Sequence, residues 1–149
     1  MNEVNAAVTD LTTRLAPKVL DQAIEFTVNT AAQAAKARFD PTLLNEAITN
    51  LIENALQHGG KTLSEIIVTV SANSDAVTIQ VENDGLKIED SEIQSCFDRF
   101  SQIGENSGSG LGLAIVYEIA KIHQGEVTVT TKPRMRFIFS IPTNVSHDF

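Results

Sequence analysis

Apolar residues at Val4, Val8, Leu11, Leu15 and Val19 recur every three or four positions, predicting an amphipathic helix over Val4 to Leu20 with Pro17 near its end. Ile24, Phe26 and Val28 then alternate with Glu25 and Thr27, the two-residue period of a half-buried strand. The alanine-rich run Ala31 to Arg38 is ambiguous between helix and strand. Asp40-Pro41 marks the next helix start, with the acid as N-cap and proline in the first turn. Leu44, Ile48, Leu51, Ile52 and Ala55 give that helix a core face, and it runs to about Gln57, where Gly59-Gly60 stops it. Glu65 to Ala72 and Ala76 to Glu82 read as strands joined by the turn-prone Asn73-Ser74-Asp75. Asn83-Asp84-Gly85 breaks the second strand. A helical turn over Ser91 to Phe97, a helix over Leu111 to His123 ended by Gln124-Gly125, and a hairpin of Glu126 to Thr131 with Arg134 to Ile141 around Lys132-Pro133 complete the reading.

Consecutive strands imply antiparallel pairing, so this order predicts a mixed sheet covered by helices in preference to a doubly wound parallel fold. The chain shows no repeat and no low-complexity linker. At 149 residues it is read as a single domain, 1–149, large enough to bury a core without staples. The expected divisions are a lead-in segment 1–22, a chemistry-bearing region 40–125 and a closing hairpin 126–142.

Composition narrows the function. Eleven Lys and Arg against 19 Asp and Glu give a net charge of -8, which argues against a nucleic-acid partner. A nucleotide is still compatible, because backbone N–H groups and a metal ion hold phosphates without much lysine. The single cysteine, Cys96, rules out an internal disulfide framework and a cysteine-based zinc site, and fits a reducing compartment. No apolar run of membrane-spanning length and no signal-peptide pattern occur, so a cytoplasmic location is expected, with a longer membrane-anchored parent compatible.

The chemistry gathers in three stretches. Four of the eight glycines fall between Gly104 and Gly112, directly before a helix start, whose free N–H groups and positive dipole end suit a phosphate. A flexible connector is the plainer alternative. On the helix from Pro41, Glu46, Asn50, Glu53, Asn54 and Gln57 form one polar stripe. It is either a solvated face or a ligand-facing one; the two asparagines, poor helix formers one turn apart, weigh against the solvated reading, and spacing alone leaves both open. A carboxamide oxygen suits Mg²⁺, and its N–H₂ suits phosphate. Asn83, at a strand end beside a glycine turn, can pair with an adenine edge or simply serve the turn. Ala55 to Thr62 fits a loose Walker A pattern but runs helix-to-strand, the wrong order, and Leu113 stands where a dinucleotide fingerprint needs its third glycine. His58, His123 and His147 show no spacing for ligands or nucleophiles.

Together these stretches resemble the nucleotide-binding boxes of the GHKL ATPases, specifically the catalytic ATP-binding domain of sensor histidine kinases. The N box is Asn50-Leu-Ile-Glu-Asn54-Ala-Leu-Gln57-His58, the first glycine box Asn83-Asp-Gly85-Leu-Lys87-Ile88, the F box Phe97-Asp-Arg99-Phe100, and the second glycine box Gly108-Ser-Gly110-Leu111-Gly112-Leu113. Four boxes in this order over about residues 40 to 125 form a far more specific signal than any one alone. The resemblance implies a Bergerat-type α+β two-layer sandwich, with a mixed, mostly antiparallel sheet of about five strands under three helices.

It also implies ATP and Mg²⁺ as cofactors. Asn54 would supply the metal ligand, with Asn50, Gln57 and His58 near the phosphates. Asn83 stands where the family usually has an aspartate that bonds the adenine amino group. Gly85 and Ile88 would border the base, Phe97 and Phe100 belong to the F box, and Arg99 would reach the γ-phosphate. Residues 101 to 108 would form a lid, and Gly108, Gly110, Leu111, Gly112 and Leu113 the phosphate-binding helix start. Two departures stand out: Asn83 itself, and Lys87 at the box's second glycine. The lid also has no Lys or Arg between Arg99 and Gly112.

Water-hydrolysing relatives such as gyrase carry a glutamate base one turn before the metal asparagine, where this chain has Asn50, which cannot take a proton. The reading is therefore a protein histidine kinase catalytic domain of a two-component system. It expects a phosphoacceptor histidine domain upstream or separate, a response regulator as indirect partner, a monomeric isolated domain and a homodimeric parent. A degenerate nucleotide-binding or dimerising adaptor and an anti-sigma-factor-type serine kinase are the rival readings.

Overall fold

The computed structural model describes residues 2–98 and 112–143. Two residues, Asn2–Glu3 (β1), lead into the helix Val4–Leu20 (α1), followed by Glu25–Asn29 (β2), Lys36–Ala37 (β3) and the helix Pro41–His58 (α2). Glu65–Ala72 (β4) and Ala76–Asn83 (β5) come next, then a 3-10 turn at Asp90–Ser95, the helix Gly112–Ile122 (α3), Glu126–Thr130 (β6) and Met135–Pro142 (β7).

The main sheet has the order β2-β4-β5-β7-β6, antiparallel except where β2 runs parallel to β4. The mixed sheet thus follows from two hairpin-type pairs, β4–β5 and β6–β7, plus one strand that reaches its neighbour through α2. All three helices pack on the sheet, α1 over β2 and β4, α2 over β5, and α3 over β6 and β7. Strand alternation supplies the layer beneath them: Ile66, Val68 and Val70 of β4, Val77, Ile79 and Val81 of β5, and Phe137, Phe139 and Ile141 of β7 are buried, while their neighbours are half-exposed. Leu44, Ile48, Leu51 and Ile52 of α2 close on this layer, each contributing about 1.5–3 kcal/mol by leaving water.

The ambiguous segment around residues 31 to 38 is not a helix: it bends at Ala32 and Gln33, forms a strand only at Lys36–Ala37, and is pinned along the start of α1. Asn5 accepts the Ala31 N–H at 2.9 Å and donates to the Ala31 and Gln33 carbonyls at 3.2 Å. Glu3 accepts the Ala35 N–H at 2.8 Å, and β1 pairs antiparallel with β3. Periodicity cannot reveal a pairing two residues long that depends on side chains of a distant helix. Asp40 caps α2 as its sequence suggests, accepting the Leu43 N–H at 3.0 Å.

Candidate functional site

Register places Asn83 where chemistry is possible. It continues the buried alternation Val77, Ile79, Val81, pairs with Ile66 and Met135 on the flanking strands, and is 3% exposed. A polar side chain therefore ends the core-facing row of β5. It lines a cleft of about 230 Å³. Asn54, Ala55, His58 and Gly59 from the end of α2 line the same cleft, with Leu86, Lys87, Ile88, Glu89, Glu92 and Met135.

Gly85, expected to border the base, is not among the residues lining this cleft but packs against Gly59 and Leu63 beside it. Its φ is +91°, and a Cβ there would stand 2.4 Å from the Gly59 carbonyl oxygen and 3.1 Å from Leu63 Cα. Only glycine fits both the left-handed backbone and the contact. The same carbonyl accepts the Leu86 N–H at 2.9 Å, which joins the glycine turn to the end of α2.

Asp84 clamps the turn to the sheet. Its carboxylate accepts the backbone N–H of Ser64 at 2.8 Å and of Glu65 at 3.0 Å, together with the Ser64 hydroxyl. Burial by itself would raise the Asp84 carboxyl, but these donors and the Arg134 guanidinium outweigh it and hold the group below its ordinary value of 3.8. The Asp84 backbone carbonyl in turn accepts from the Asn83 carboxamide. Lys87 is exposed and donates from Nζ to the Pro133 carbonyl at 3.0 Å, so it bridges the glycine turn to the connection between β6 and β7.

On α2, the polar stripe divides among three surroundings. Asn54 faces the cleft, and among the described residues no protein group hydrogen-bonds its carboxamide. Asn50 and Glu46 line a groove against Leu11, Arg14 and Leu15 of α1 and Ile115 of α3. Glu53 and Gln57 are exposed beside Lys18, with the Lys18–Glu53 ion pair at 3.5 Å. Gln57 is thus not among the residues lining the cleft. Asn50 instead meets the start of α3: a Cβ on Gly112 would stand 3.5 Å from Asn50 Oδ1. The N box and the end of the second glycine box are therefore neighbours at that point.

His58 is half-buried, its Nδ1 is enclosed without a hydrogen-bond partner, and burial lowers its imidazole from the usual 6.5. Phe97 lies outside the cleft lining. It stacks on Tyr117 of α3 at 6.0 Å and meets Phe137 of β7 edge-on at 6.1 Å, so it braces the segment after the 3-10 turn. Leu113 is buried in the core. Burial pushes the Cys96 thiol up to about 11, which keeps it protonated and unreactive. Arg99, Phe100, Gly108, Gly110, Leu111 and the expected lid, 101–108, lie outside the described residues.

Leu86, Glu89, Glu92 and Met135 line the cleft without any distinctive local pattern in the sequence. Met135 could have been found only from the register that pairs it with Asn83. Among the described residues no cluster of three His, Cys, Asp or Glu could cage a metal. The Asn54 carboxamide oxygen in the cleft is a donor of the kind that Mg²⁺ carried by a nucleotide accepts, since this ion commonly takes one or two protein oxygens and completes its shell with phosphate and water. Also among the described residues, no helix is long and apolar enough to cross a membrane.

The family described as histidine kinase-, DNA gyrase B- and HSP90-like ATPase matches residues 39–145. The signal transduction histidine-protein kinase AfsQ2 of Streptomyces coelicolor is 36% identical over 115 residues, covering 74% of this chain and 21% of its own length. The chain thus spans about a fifth of that curated relative. A nucleotide-free catalytic domain of the histidine kinase ThkA superposes with a TM-score of 0.85 at 24% identity, covering 95% of this chain and 93% of that one. ThkA in complex with the response regulator protein TrrA superposes at 0.80 and 22% identity, over 96% of this chain and 41% of that one.

Proposed function

The chain belongs to the family of histidine kinase-, DNA gyrase B- and HSP90-like ATPases, and from that premise we propose that it binds MgATP and transfers the γ-phosphoryl group to a histidine on a separate or upstream dimerisation domain. The observation that carries this reading is the cleft that gathers Asn54 and His58 of the N box with Asn83 and Ile88 of the first glycine box, two separate stretches of chain. Asn83 takes the adenine edge, Ile88 borders the base, and Asn54 would hold Mg²⁺, which when bound neutralises charge on the phosphates. His58, lining the same cleft, is suited to meet anionic oxygen. Asn50 adjoins the start of α3, and a helix start is the kind of backbone end that takes phosphate.

Transfer to histidine is favoured over hydrolysis because Asn50, which cannot take a proton, stands one turn before Asn54, where water-hydrolysing relatives carry their glutamate base, and the α2 carboxylates lie elsewhere: Glu53 pairs with Lys18, and Glu46 lies against α1. A water nucleophile needs a base. An imidazole with a pKa near ~6.5 is already substantially neutral at physiological pH and does not. Its nitrogen forms a bond to the γ-phosphorus as the bond to the bridging oxygen breaks, ADP leaves, and the other ring nitrogen releases its proton. A response regulator is the indirect partner, and the parent protein a homodimer.

The test is incubation of the chain with γ-labelled ATP and a histidine-bearing helical domain. The proposal expects label on that domain in an acid-labile, base-stable bond. Acid-stable label would indicate a serine acceptor, and release of free phosphate alone an ATPase; either contradicts the proposal.

A further inference from the structure

An asparagine facing a purine is ambivalent in a way an aspartate is not. Its oxygen accepts from a 6-amino group, but a flip of the amide turns the N–H₂ outward to meet a 6-oxo group instead. The two orientations read opposite bases, so something must choose between them. In this chain Asn83 donates through Nδ2 to the backbone carbonyl of Asp84, and among the described residues no protein donor reaches its Oδ1. That leaves Oδ1 as the group offered to the cleft that Asn83 lines. The Asp84 carbonyl is itself fixed, because the Asp84 carboxylate is held by the Ser64 hydroxyl and by the Ser64 and Glu65 backbone N–H groups at the start of β4.

We propose that the Ser64–Asp84 clamp is a specificity device: by holding the Asp84 carbonyl in place, it locks the Asn83 carboxamide with its oxygen toward the ligand and so selects 6-amino over 6-oxo purine nucleotides. The inference rests on the nucleotide reading above. Ser64 and Asp84 are positioning residues, acting on the base only through Asn83. Loosening the clamp frees the amide to flip, which removes the penalty on a 6-oxo base while leaving 6-amino binding nearly unchanged. With aspartate at position 83 both oxygens accept, so no flip can help a 6-oxo base and the clamp ceases to matter.

Calorimetric titration with Mg-ATP and Mg-ITP tests this, because the two nucleotides differ at purine position 6 and its neighbouring ring nitrogen. The unaltered chain is expected to prefer ATP about 10- to 100-fold, the consequence of setting two acceptors against each other. In Ser64→Ala, and more fully in Asp84→Ala, the ratio falls to roughly threefold or less through a gain in ITP affinity. In an Asn83→Asp background the same substitutions leave the ratio where it was. A ratio unmoved by clamp loss in the Asn83 chain, or one that shifts equally in the Asn83→Asp background, overturns the proposal while ATP binding still stands. Failure of the unaltered chain to bind either nucleotide overturns both the clamp and the nucleotide reading.

Discussion

His123 Nε2 accepts the backbone N–H of Asp40 at 3.0 Å, while its Nδ1 lies 2.8 Å from the Ile119 carbonyl. Only the neutral tautomer with the proton on Nδ1 satisfies both contacts. The side chain is completely buried, so it ties the end of α3 to the cap of α2 inside the core. The two helices that carry the N box and the second glycine box are thereby fixed relative to each other at their far ends.

Removing that tie should cost stability. His123→Ala leaves the Asp40 N–H unsatisfied and opens a cavity, and about 2–4 kcal/mol of unfolding free energy should be lost. Urea denaturation is the measurement, with the midpoint lowered and the slope unchanged.

Gly85 and Gly112 should respond differently to the same substitution. Gly85→Ala forces a Cβ to 2.4 Å from the Gly59 carbonyl at positive φ, and is expected to cost about 1–3 kcal/mol and to weaken Mg-ATP binding with it. Gly112→Ala meets its nearest neighbour, Asn50 Oδ1, at an ordinary 3.5 Å, and stability should stay within about 0.5 kcal/mol. Thermal melts of the two variants side by side check the contrast.

His58 gives a pH signature. Burial lowers its folded-state value below the 6.5 of the unfolded chain, so below pH 6.5 the unfolded chain binds more protons. Its contribution is whole above pH 6.5 and is lost as pH falls from there through the folded value. His58→Gln should flatten that part of the stability profile. Bound Mg-ATP should move the His58 imidazole resonance to titrate at higher pH, because phosphate favours the charged ring.

Much of the fold is legible in the chain because each element carries its own period and punctuation. Leu44, Ile48, Leu51 and Ile52 repeat as a helix must, Val77, Ile79 and Val81 as a strand must, and Asp40-Pro41 and Gly59-Gly60 bound α2 where expected. What stays hidden are relations between elements: the parallel pairing of β2 with β4, the two-residue pairing of β1 with β3, and the buried role of His123. The same division holds at the cleft. Asn54 and Asn83 stand out by residue type and position, and His58 and Ile88 enter through the family resemblance, whereas Met135, Glu89 and Glu92 join them only through register and the path of the chain after Gly85. The α2 stripe shows the converse limit: helical spacing puts Asn50, Asn54 and Gln57 on one side, but the flanking α1 and α3 divide that side into separate surroundings.

The central claim is that Asn54 holds the metal of a bound MgATP. Calorimetric titration of the unaltered chain and of Asn54→Ala with ATP, each in Mg²⁺ and in EDTA, tests it most directly. Mg²⁺-dependent binding by the unaltered chain is expected, with a loss of about tenfold or more in Asn54→Ala in Mg²⁺, little difference in EDTA, and an unchanged melting temperature. Equal affinity of the two proteins in Mg²⁺, or no binding by the unaltered chain at roughly millimolar ATP, would contradict it.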